Sequence, residues 1–187
     1  MKFLRNLIRL SFIVLAFSNL VLASSISNDS RSKSIDPPSI LRSHGPDAFG
    51  YYYYDSDDSA SNAPIYHWLD ISSGGTEVDS MSDDRTRGPY PIGFNFPYYG
   101  SICSNFRVCS NGYLSFTSSI AEYSNSGLPL PLEPNNTLAV FWDDLAPDSL
   151  SHIYYYSNSR DTLIVAWHNY HRYTGEGRYT FEAILTA

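Results

Sequence analysis

The sequence has few charged residues and almost no cysteine. Only 17% of its 187 residues are Asp, Glu, Lys or Arg, whereas disordered chains combine low hydrophobicity with high charge. The two cysteines, Cys103 and Cys109, exclude a dense disulfide framework, so burial of a core must stabilise the fold. Aromatic residues, in contrast, are abundant at 16% of the chain, and 16 of them are Tyr. This composition is typical of β-proteins with many half-buried strands.

The chain also lacks an apolar run of the roughly 20 residues that a membrane span needs. Its one long apolar stretch, residues 10–22, follows three basic residues and ends in small residues before Ser24. These features predict a secretory signal peptide over residues 1–23, cleaved after Ala23, and no membrane span in the mature chain.

Basic residues are scarce once this segment is removed. The mature chain then carries 9 basic and 19 acidic residues, a net charge of −10, where the full sequence has −7. A charge of this sign argues against nucleic acid and anionic membranes as partners.

The remaining chain divides into a leader and one domain. Residues 24–44 are rich in serine and poor in apolar residues, so they cannot bury enough surface to offset the entropy of ordering, and we predict a disordered leader. Residues 45–187 are long enough for a single domain with a sizeable core.

Strand patterns dominate the second half of this domain. The apolar run Leu138–Trp142, which ends on two aspartates, predicts a strand buried on both faces, around which the others are organised. Three further runs, each rich in β-branched or aromatic residues, predict strands at Ile153–Tyr156, Leu163–Trp167 and Tyr179–Leu185. We therefore predict an all-β fold, an antiparallel β-sandwich, with Trp142 and Trp167 in its core.

The first half gives weaker strand signals. Tyr51–Tyr54 and Ile65–Ile71 are predicted strands, and the proline-interrupted segment Gly88–Gly100 is predicted to lie at an edge or bend. Asn111 and Gly112 separate two strand-like runs and predict a tight hairpin, with a bulge or corner as the alternative. The stretch from Thr117 to Asn136 is predicted to be irregular.

Five of these segments, in this order, resemble the nidogen-like extracellular domain. They are Asn111–Phe116 (Asn-Gly-Tyr-Leu-Ser-Phe), Phe141–Leu145 (Phe-Trp-Asp-Asp-Leu), Ile153–Tyr156 (Ile-Tyr-Tyr-Tyr), Val165–Asn169 (Val-Ala-Trp-His-Asn) and Tyr179–Leu185 (Tyr-Thr-Phe-Glu-Ala-Ile-Leu). The front portion, with Gly45–Tyr51 and Tyr66, Trp68 and Asp70-Ile71, resembles bacterial relatives at the head of large secreted multi-domain proteins. The resemblance covers residues 45–187.

This resemblance implies a β-sandwich that acts as a secreted, non-enzymatic module for adhesion or interaction within a larger extracellular or cell-surface protein. Its expected partner is an extracellular protein or a glycan. Two alternatives stay open, namely a non-catalytic accessory domain at the front of a secreted hydrolase (a peptidase or polysaccharide-degrading enzyme) and a carbohydrate-binding module. Such domains continue with further strands, so we expect the domain to extend beyond Ala187.

No set of residues predicts catalysis. Neither a nucleophile elbow nor a phosphate-binding loop nor a dinucleotide fingerprint occurs in the sequence. Asp143 and Asp144 are adjacent, so on a strand they would point to opposite faces and could not flank one glycosidic bond. His168 and His171, with His67 or His152 as a third ligand, lack the spacing of a known zinc site. We expect no cofactor apart from a calcium ion.

The acidic residues Asp55, Asp57 and Asp58, together with Asp47, form the candidate calcium site. Carboxylate oxygens are the ligands that calcium prefers, although a solvated turn would have the same composition. Cys103 and Cys109 are a candidate disulfide in an oxidising compartment. Six residues apart along one strand would separate them by roughly 20 Å, so this bond requires Cys103 to lie in the turn after Gly100.

Overall fold

The computed structural model describes residues 45–56, 64–129 and 131–187 and shows an antiparallel β-sandwich. Nine strands occur in these ranges, and no helix does. They are β1 (Thr76–Glu77), β2 (Thr86–Tyr98), β3 (Ser101–Cys109), β4 (Tyr113–Ser115), β5 (Thr137–Ala139), β6 (Leu145–Ala146), β7 (His152–Ser157), β8 (Thr162–Arg172) and β9 (Tyr179–Thr186). The predicted all-β fold is confirmed, whereas the predicted signal peptide, the leader, Asp57 and Asp58 lie outside the described residues.

The strands form two sheets. In the first sheet the order is β1-β7-β8-β6, and β9 also pairs with β8; in the second sheet the order is β2-β3-β4-β5. All pairings are antiparallel. The two sheets enclose a core that contains Trp167, Phe106 and Leu114, each with no exposed surface. Because most inward positions are aromatic or branched, the core fills the gap of about 10 Å between packed sheets.

The strand at the centre of the first sheet is β8. It has β7 on one side and β9 on the other, and Leu163 to Trp167 are all buried. The indole of Trp167 stacks on Phe181 at 4.9 Å between ring centroids, and its Nε1 donates a hydrogen bond to the Cys109 carbonyl at 2.9 Å. The prediction that Trp167 is a core residue is confirmed.

The predicted organising strand, in contrast, is wrong in part. Only its first residues belong to β5, which lies at an edge of the second sheet, and the chain bends at Val140 and Phe141. Trp142 is half-buried, packs against Tyr113, and donates its Nε1 hydrogen to the Glu122 carbonyl at 2.9 Å. It is therefore an anchor for the long loop and not a core residue.

Two predicted strands in the first half are also wrong. Tyr51–Tyr54 and Ile65–Ile71 are irregular in the structure and belong to none of the nine strands in the described ranges. Segment 65–71 instead crosses the outer face of the first sheet, where Ile71 packs against Ile164 and Ala166. This contact explains the apolar residues Trp68, Leu69 and Ile71 and needs no strand geometry, whereas Ile65 is exposed.

The hairpin and the edge strand are where the sequence predicts them. Cys109 pairs with Tyr113 around a three-residue turn, in which Gly112 has φ +76° and the Phe141 carbonyl lies where a side chain would be. Only glycine fits both conditions. The proline-rich strand β2 lies at an edge of its sheet, with Ile92 and Phe96 buried.

The two cysteines are free thiols. Both belong to the continuous strand β3, in which Cys103 pairs with Phe96 and Cys109 with Thr86. Because Cys103 does not fold back in the turn after Gly100, six extended residues separate the two sulfur atoms, far more than a disulfide spans. The predicted disulfide is not formed.

Candidate interaction surface

Residues 45–51 form a loop that the Asp47 carboxylate holds together. Its Oδ1 accepts hydrogen bonds from the backbone N–H groups of Phe49 and Tyr51, both at 2.9 Å, and the Asp47 N–H donates to the Tyr51 carbonyl at 2.9 Å. The N–H of Tyr51, together with further backbone donors, lowers the pKa of this carboxyl. Asp47 is therefore a turn-capping residue, a role that short acidic side chains commonly have.

This loop packs on the turn between β2 and β3. The ring of Tyr99 stacks on Tyr51 with 4.6 Å between centroids and meets Phe49 edge to face at 5.1 Å. The Tyr99 N–H donates a hydrogen bond to the Tyr51 hydroxyl at 3.0 Å. Tyr99 and Gly100 have φ values of +42° and +79°, as expected for a two-residue hairpin turn.

These three rings, Phe49, Tyr51 and Tyr99, are called the turn patch below. Phe49 is 64% exposed and Tyr99 40% exposed, although each ring packs against another ring of the patch. Burial, followed by the hydrogen bond to Asp47, raises the pKa of Tyr99 to about 12, so its hydroxyl stays protonated at neutral pH. The turn patch thus offers apolar faces and a hydroxyl on a rigid support, a combination enriched at protein interfaces.

The calcium prediction stays a prediction. Asp57 and Asp58 lie outside the described residues, and the backbone contacts of Asp47 already use one of its oxygens. Asp55 is half-buried.

A different acidic group is brought together by the fold. In the described part of the chain, ligand atoms of Asp83, Asp84 and Asp144 lie within 4.8 Å of one another. Desolvation and mutual repulsion raise the pKa of Asp83 and Asp144. The fully buried Asn111 donates its amide hydrogen to Asp84 at 2.8 Å, and its Oδ1 accepts the Leu145 N–H at 3.1 Å. Sequence analysis missed this group because Asp144 is about 60 residues from the other two.

Polar side chains also lie beneath segment 64–71, on the outer face of the first sheet. Glu182 is 4% exposed, and its Oε1 accepts the Leu69 N–H at 3.1 Å, while its Oε2 has no hydrogen-bond partner among the described residues. Burial, as the largest cause, raises the pKa of Glu182 to about 7. The ring of His168 packs between Trp68 and Tyr154, and desolvation lowers its pKa.

None of the histidines that the sequence analysis considered belongs to a metal-ligand cluster within the described ranges. The Nδ1 of His152 is hydrogen-bonded to Oε1 of Glu77 at 2.6 Å. The Nδ1 of His171 is hydrogen-bonded to the Arg172 carbonyl oxygen at 2.9 Å. A shallow cleft of about 380 Å³ lies beside segment 64–71, with Trp68, Asp70 and Tyr156 among its lining residues. A sugar ring can stack on aromatic side chains and donate hydrogen bonds to a carboxylate, so these residues are compatible with sugar binding.

A comparison with known families gives this β-sandwich a class. The family model described as NIDO related matches residues 59–186. This match covers more than half of the chain, so the chain belongs to the NIDO-related family. Membership suggests an extracellular interaction module. No solved structure matches the chain.

In the described residues, no helix has the length and apolar character to cross a bilayer.

Proposed function

We propose that this chain is a secreted, non-enzymatic adhesion module that binds another extracellular protein through the turn patch. The observation that carries this proposal is the fixed and exposed position of Phe49 and Tyr99 in a member of the NIDO-related family. A buried aromatic side chain contributes strongly to an interface when its position is set before binding, because little conformational entropy is then lost.

The structural support for this surface comes from its construction. Four hydrogen bonds involving Asp47 and two ring contacts of Tyr99 hold this loop against the turn between β2 and β3. An exposed aromatic residue held in this way stabilises the isolated domain little, since most of the surface of Phe49 faces solvent. A role in binding accounts for this arrangement better than a role in folding does.

The test is binding of the purified mature chain to an array of extracellular proteins, repeated with Phe49→Ala. We expect at least one protein ligand whose affinity falls about tenfold or more in the variant, as for an interface hot spot. Tyr173→Ala is the matched control, because Tyr173 is also an exposed aromatic residue, at 60%, but lies after β8. A ligand that binds wild type and both variants equally would contradict the assignment to the turn patch.

A carbohydrate-binding function is the second candidate, and the cleft beside Trp68 and Tyr156 favours it. A glycan array distinguishes the two candidates. Glycan binding that Trp68→Ala abolishes and Phe49→Ala leaves unchanged would replace the proposal with this alternative.

A further inference from the structure

The two chain segments that form the turn patch carry charge of one sign. Residues 45–58, which contain Phe49 and Tyr51, include four aspartates and no basic residue. Residues 89–106, which contain Tyr99, have no charged side chain at all. The whole domain, residues 45–187, has 17 acidic residues, six arginines and no lysine. The rings of the turn patch therefore lie in segments whose only charges are negative.

Most arginines of the domain already have partners within the chain. Two of them donate to backbone carbonyls and two pair with aspartates; these four are Arg87, Arg107, Arg172 and Arg178. None of the ion pairs between described residues involves Asp47, the acidic residue that holds the turn patch loop. A cation that neutralises this loop can therefore come from a binding partner.

The carboxylate of Asp47 keeps its charge and its access to solvent. Asp47 is exposed, and the N–H of Tyr51, as the largest cause, lowers its pKa, so the group is ionised at neutral pH. Its Oδ1 accepts the N–H groups of Phe49 and Tyr51, whereas the two oxygens of a carboxylate together accept about four hydrogen bonds. Asp47 can thus attract a cation without giving up the bonds that hold the loop.

The same chain contains an arginine that contacts a ring and a carboxylate together. The Nε of Arg172 lies 2.8 Å from Oδ2 of Asp143, and its guanidinium carbon lies 5.8 Å from the ring centroid of Tyr179. Cations within about 6 Å of a ring centroid are attracted to the ring face. The turn patch has the same components, exposed rings next to an exposed carboxylate, and no arginine of the described residues pairs with them.

We propose that the turn patch binds a basic segment of its protein partner, with one arginine side chain stacked on Phe49 and Tyr99 and its guanidinium beside Asp47. This inference rests on the proposed function and adds the chemistry of the partner. The ring centroids of Phe49 and Tyr99 are 5.1 Å apart, so one guanidinium can contact both rings. Arginine suits this site better than lysine does, because its planar group stacks on rings and donates to a carboxylate at once.

The first test measures binding of the mature chain to three short peptides in which glycine alternates with arginine, lysine or glutamate. Fluorescence anisotropy at low salt should show the tightest binding for the arginine peptide, about threefold tighter than for the lysine peptide, and none for the glutamate peptide. Phe49→Leu keeps an apolar side chain without a ring and should abolish the preference for arginine over lysine. Tyr173→Leu, at another exposed ring, should keep this preference. Equal binding of the arginine and lysine peptides to the wild type would overturn the proposal.

The second test separates a defined site from general attraction to an acidic domain. Asp47→Asn removes the charge and keeps an oxygen for the two N–H groups, while Glu176→Gln removes one exposed charge elsewhere. We expect Asp47→Asn to weaken binding of the arginine peptide about threefold or more and Glu176→Gln to change it much less. Equal losses in the two variants would overturn the proposal. Phe49→Leu alters no hydrogen bond of the loop, so its result decides the question if Asp47→Asn loosens the loop.

The inference and the proposed function can fail separately. A protein ligand from the array that Phe49→Ala weakens, but that neither Asp47→Asn nor an excess of the arginine peptide affects, would overturn the basic segment and leave the turn patch as the binding surface. A ligand that Phe49→Ala leaves unchanged would contradict the proposed function itself. We expect the ligand to be weakened by both variants and displaced by the arginine peptide.

Discussion

Two five-residue segments of this protein have almost the same pattern and different structures. Leu138–Trp142 has the sequence Leu-Ala-Val-Phe-Trp, and Leu163–Trp167 has Leu-Ile-Val-Ala-Trp. The second segment lies in β8 and is buried on both faces, whereas the first leaves its strand after Ala139 and ends in a half-buried Trp142. An apolar run therefore indicates burial without defining how many faces are covered.

The difference comes from what surrounds each segment. Strand β8 has a strand on either side, the second sheet below it and segment 64–71 above it, with Ile71 against Ile164 and Ala166. The first segment begins at an edge strand, and its chain turns where the Phe141 N–H donates to the Gly112 carbonyl at 2.9 Å. The covering segment is about 100 residues away from β8 in the sequence, so local patterns do not contain this information.

The largest expected effect is at the segment with two covered faces. Trp167→Ala removes a fully buried indole and its hydrogen bond to the Cys109 carbonyl. We expect a loss of about 3 to 5 kcal/mol in the free energy of unfolding, from lost burial and the cavity that remains. Urea denaturation measures this loss in the free energy of unfolding. Trp167→Phe, which keeps an aromatic ring, should lose less. A loss below about 1 kcal/mol would mean that this strand is not the centre of the core.

The cover above β8 makes stability depend on pH through Glu182. Burial raises the pKa of this carboxyl from 4.5 to about 7 in the folded state. Between these two values the folded protein holds a proton that the unfolded chain releases, so stability should fall as pH rises from about 4.5 to about 7 and change little above it. Each pKa unit corresponds to about 1.4 kcal/mol, so the effect is at most roughly 3 kcal/mol.

Chemical denaturation across this pH range checks the role of Glu182. In Glu182→Gln the side chain cannot ionise, but it keeps an oxygen that accepts the Leu69 N–H. The free energy of unfolding of this variant should therefore depend less on pH, with a flatter slope, than that of the wild type. Glu176→Gln alters an exposed carboxyl and should leave the slope as in wild type. Equal slopes for wild type and Glu182→Gln would show that Glu182 does not titrate in this range.

The sequence predicted β7, β8 and β9 well because these strands are adjacent in the chain. Strands β7, β8 and β9 follow one another with short turns, and their residues alternate or run apolar as neighbouring strands require. Tyr51–Tyr54 and Ile65–Ile71 have equally strong strand composition, but their partners are a turn and a sheet face that lie far away in sequence. The turn patch could not be predicted either, since it depends on a contact between Phe49 and Tyr99.

A smaller effect is expected at the segment with one covered side. Trp142→Ala removes a half-buried ring and the hydrogen bond from its Nε1 to Glu122, so we expect a loss of about 1 to 2 kcal/mol. The loop from Thr117 onward should also become easier to cleave by protease, because Trp142 and Asn125 hold it in place. A loss as large as that of Trp167→Ala would contradict the distinction between the two segments.

The smallest expected effect is at an ion pair between the end of β8 and the residue that follows the Leu138–Trp142 segment. Arg172 at the end of β8 pairs with Asp143, which follows Trp142, with 2.8 Å between Nε and Oδ2. The arginine side chain is 49% exposed and the aspartate 29%, so the pair should contribute only about 0.2 to 1 kcal/mol. Arg172 also lies over the ring of Tyr179, 5.8 Å from its centroid, and a single variant would mix both contacts.

A double-mutant cycle of Asp143→Ala and Arg172→Ala separates the ion pair from the ring contact, because the contact with Tyr179 is lost equally with and without Asp143. We expect the coupling energy to fall toward zero at 1 M salt, where the screening length is about 3 Å. A coupling above about 2 kcal/mol that salt does not change would show that the pair is desolvated. Water would then be excluded from the end of the Leu138–Trp142 segment, as it is from β8. The two segments would in that case differ less in solvent access than the exposure of their side chains indicates.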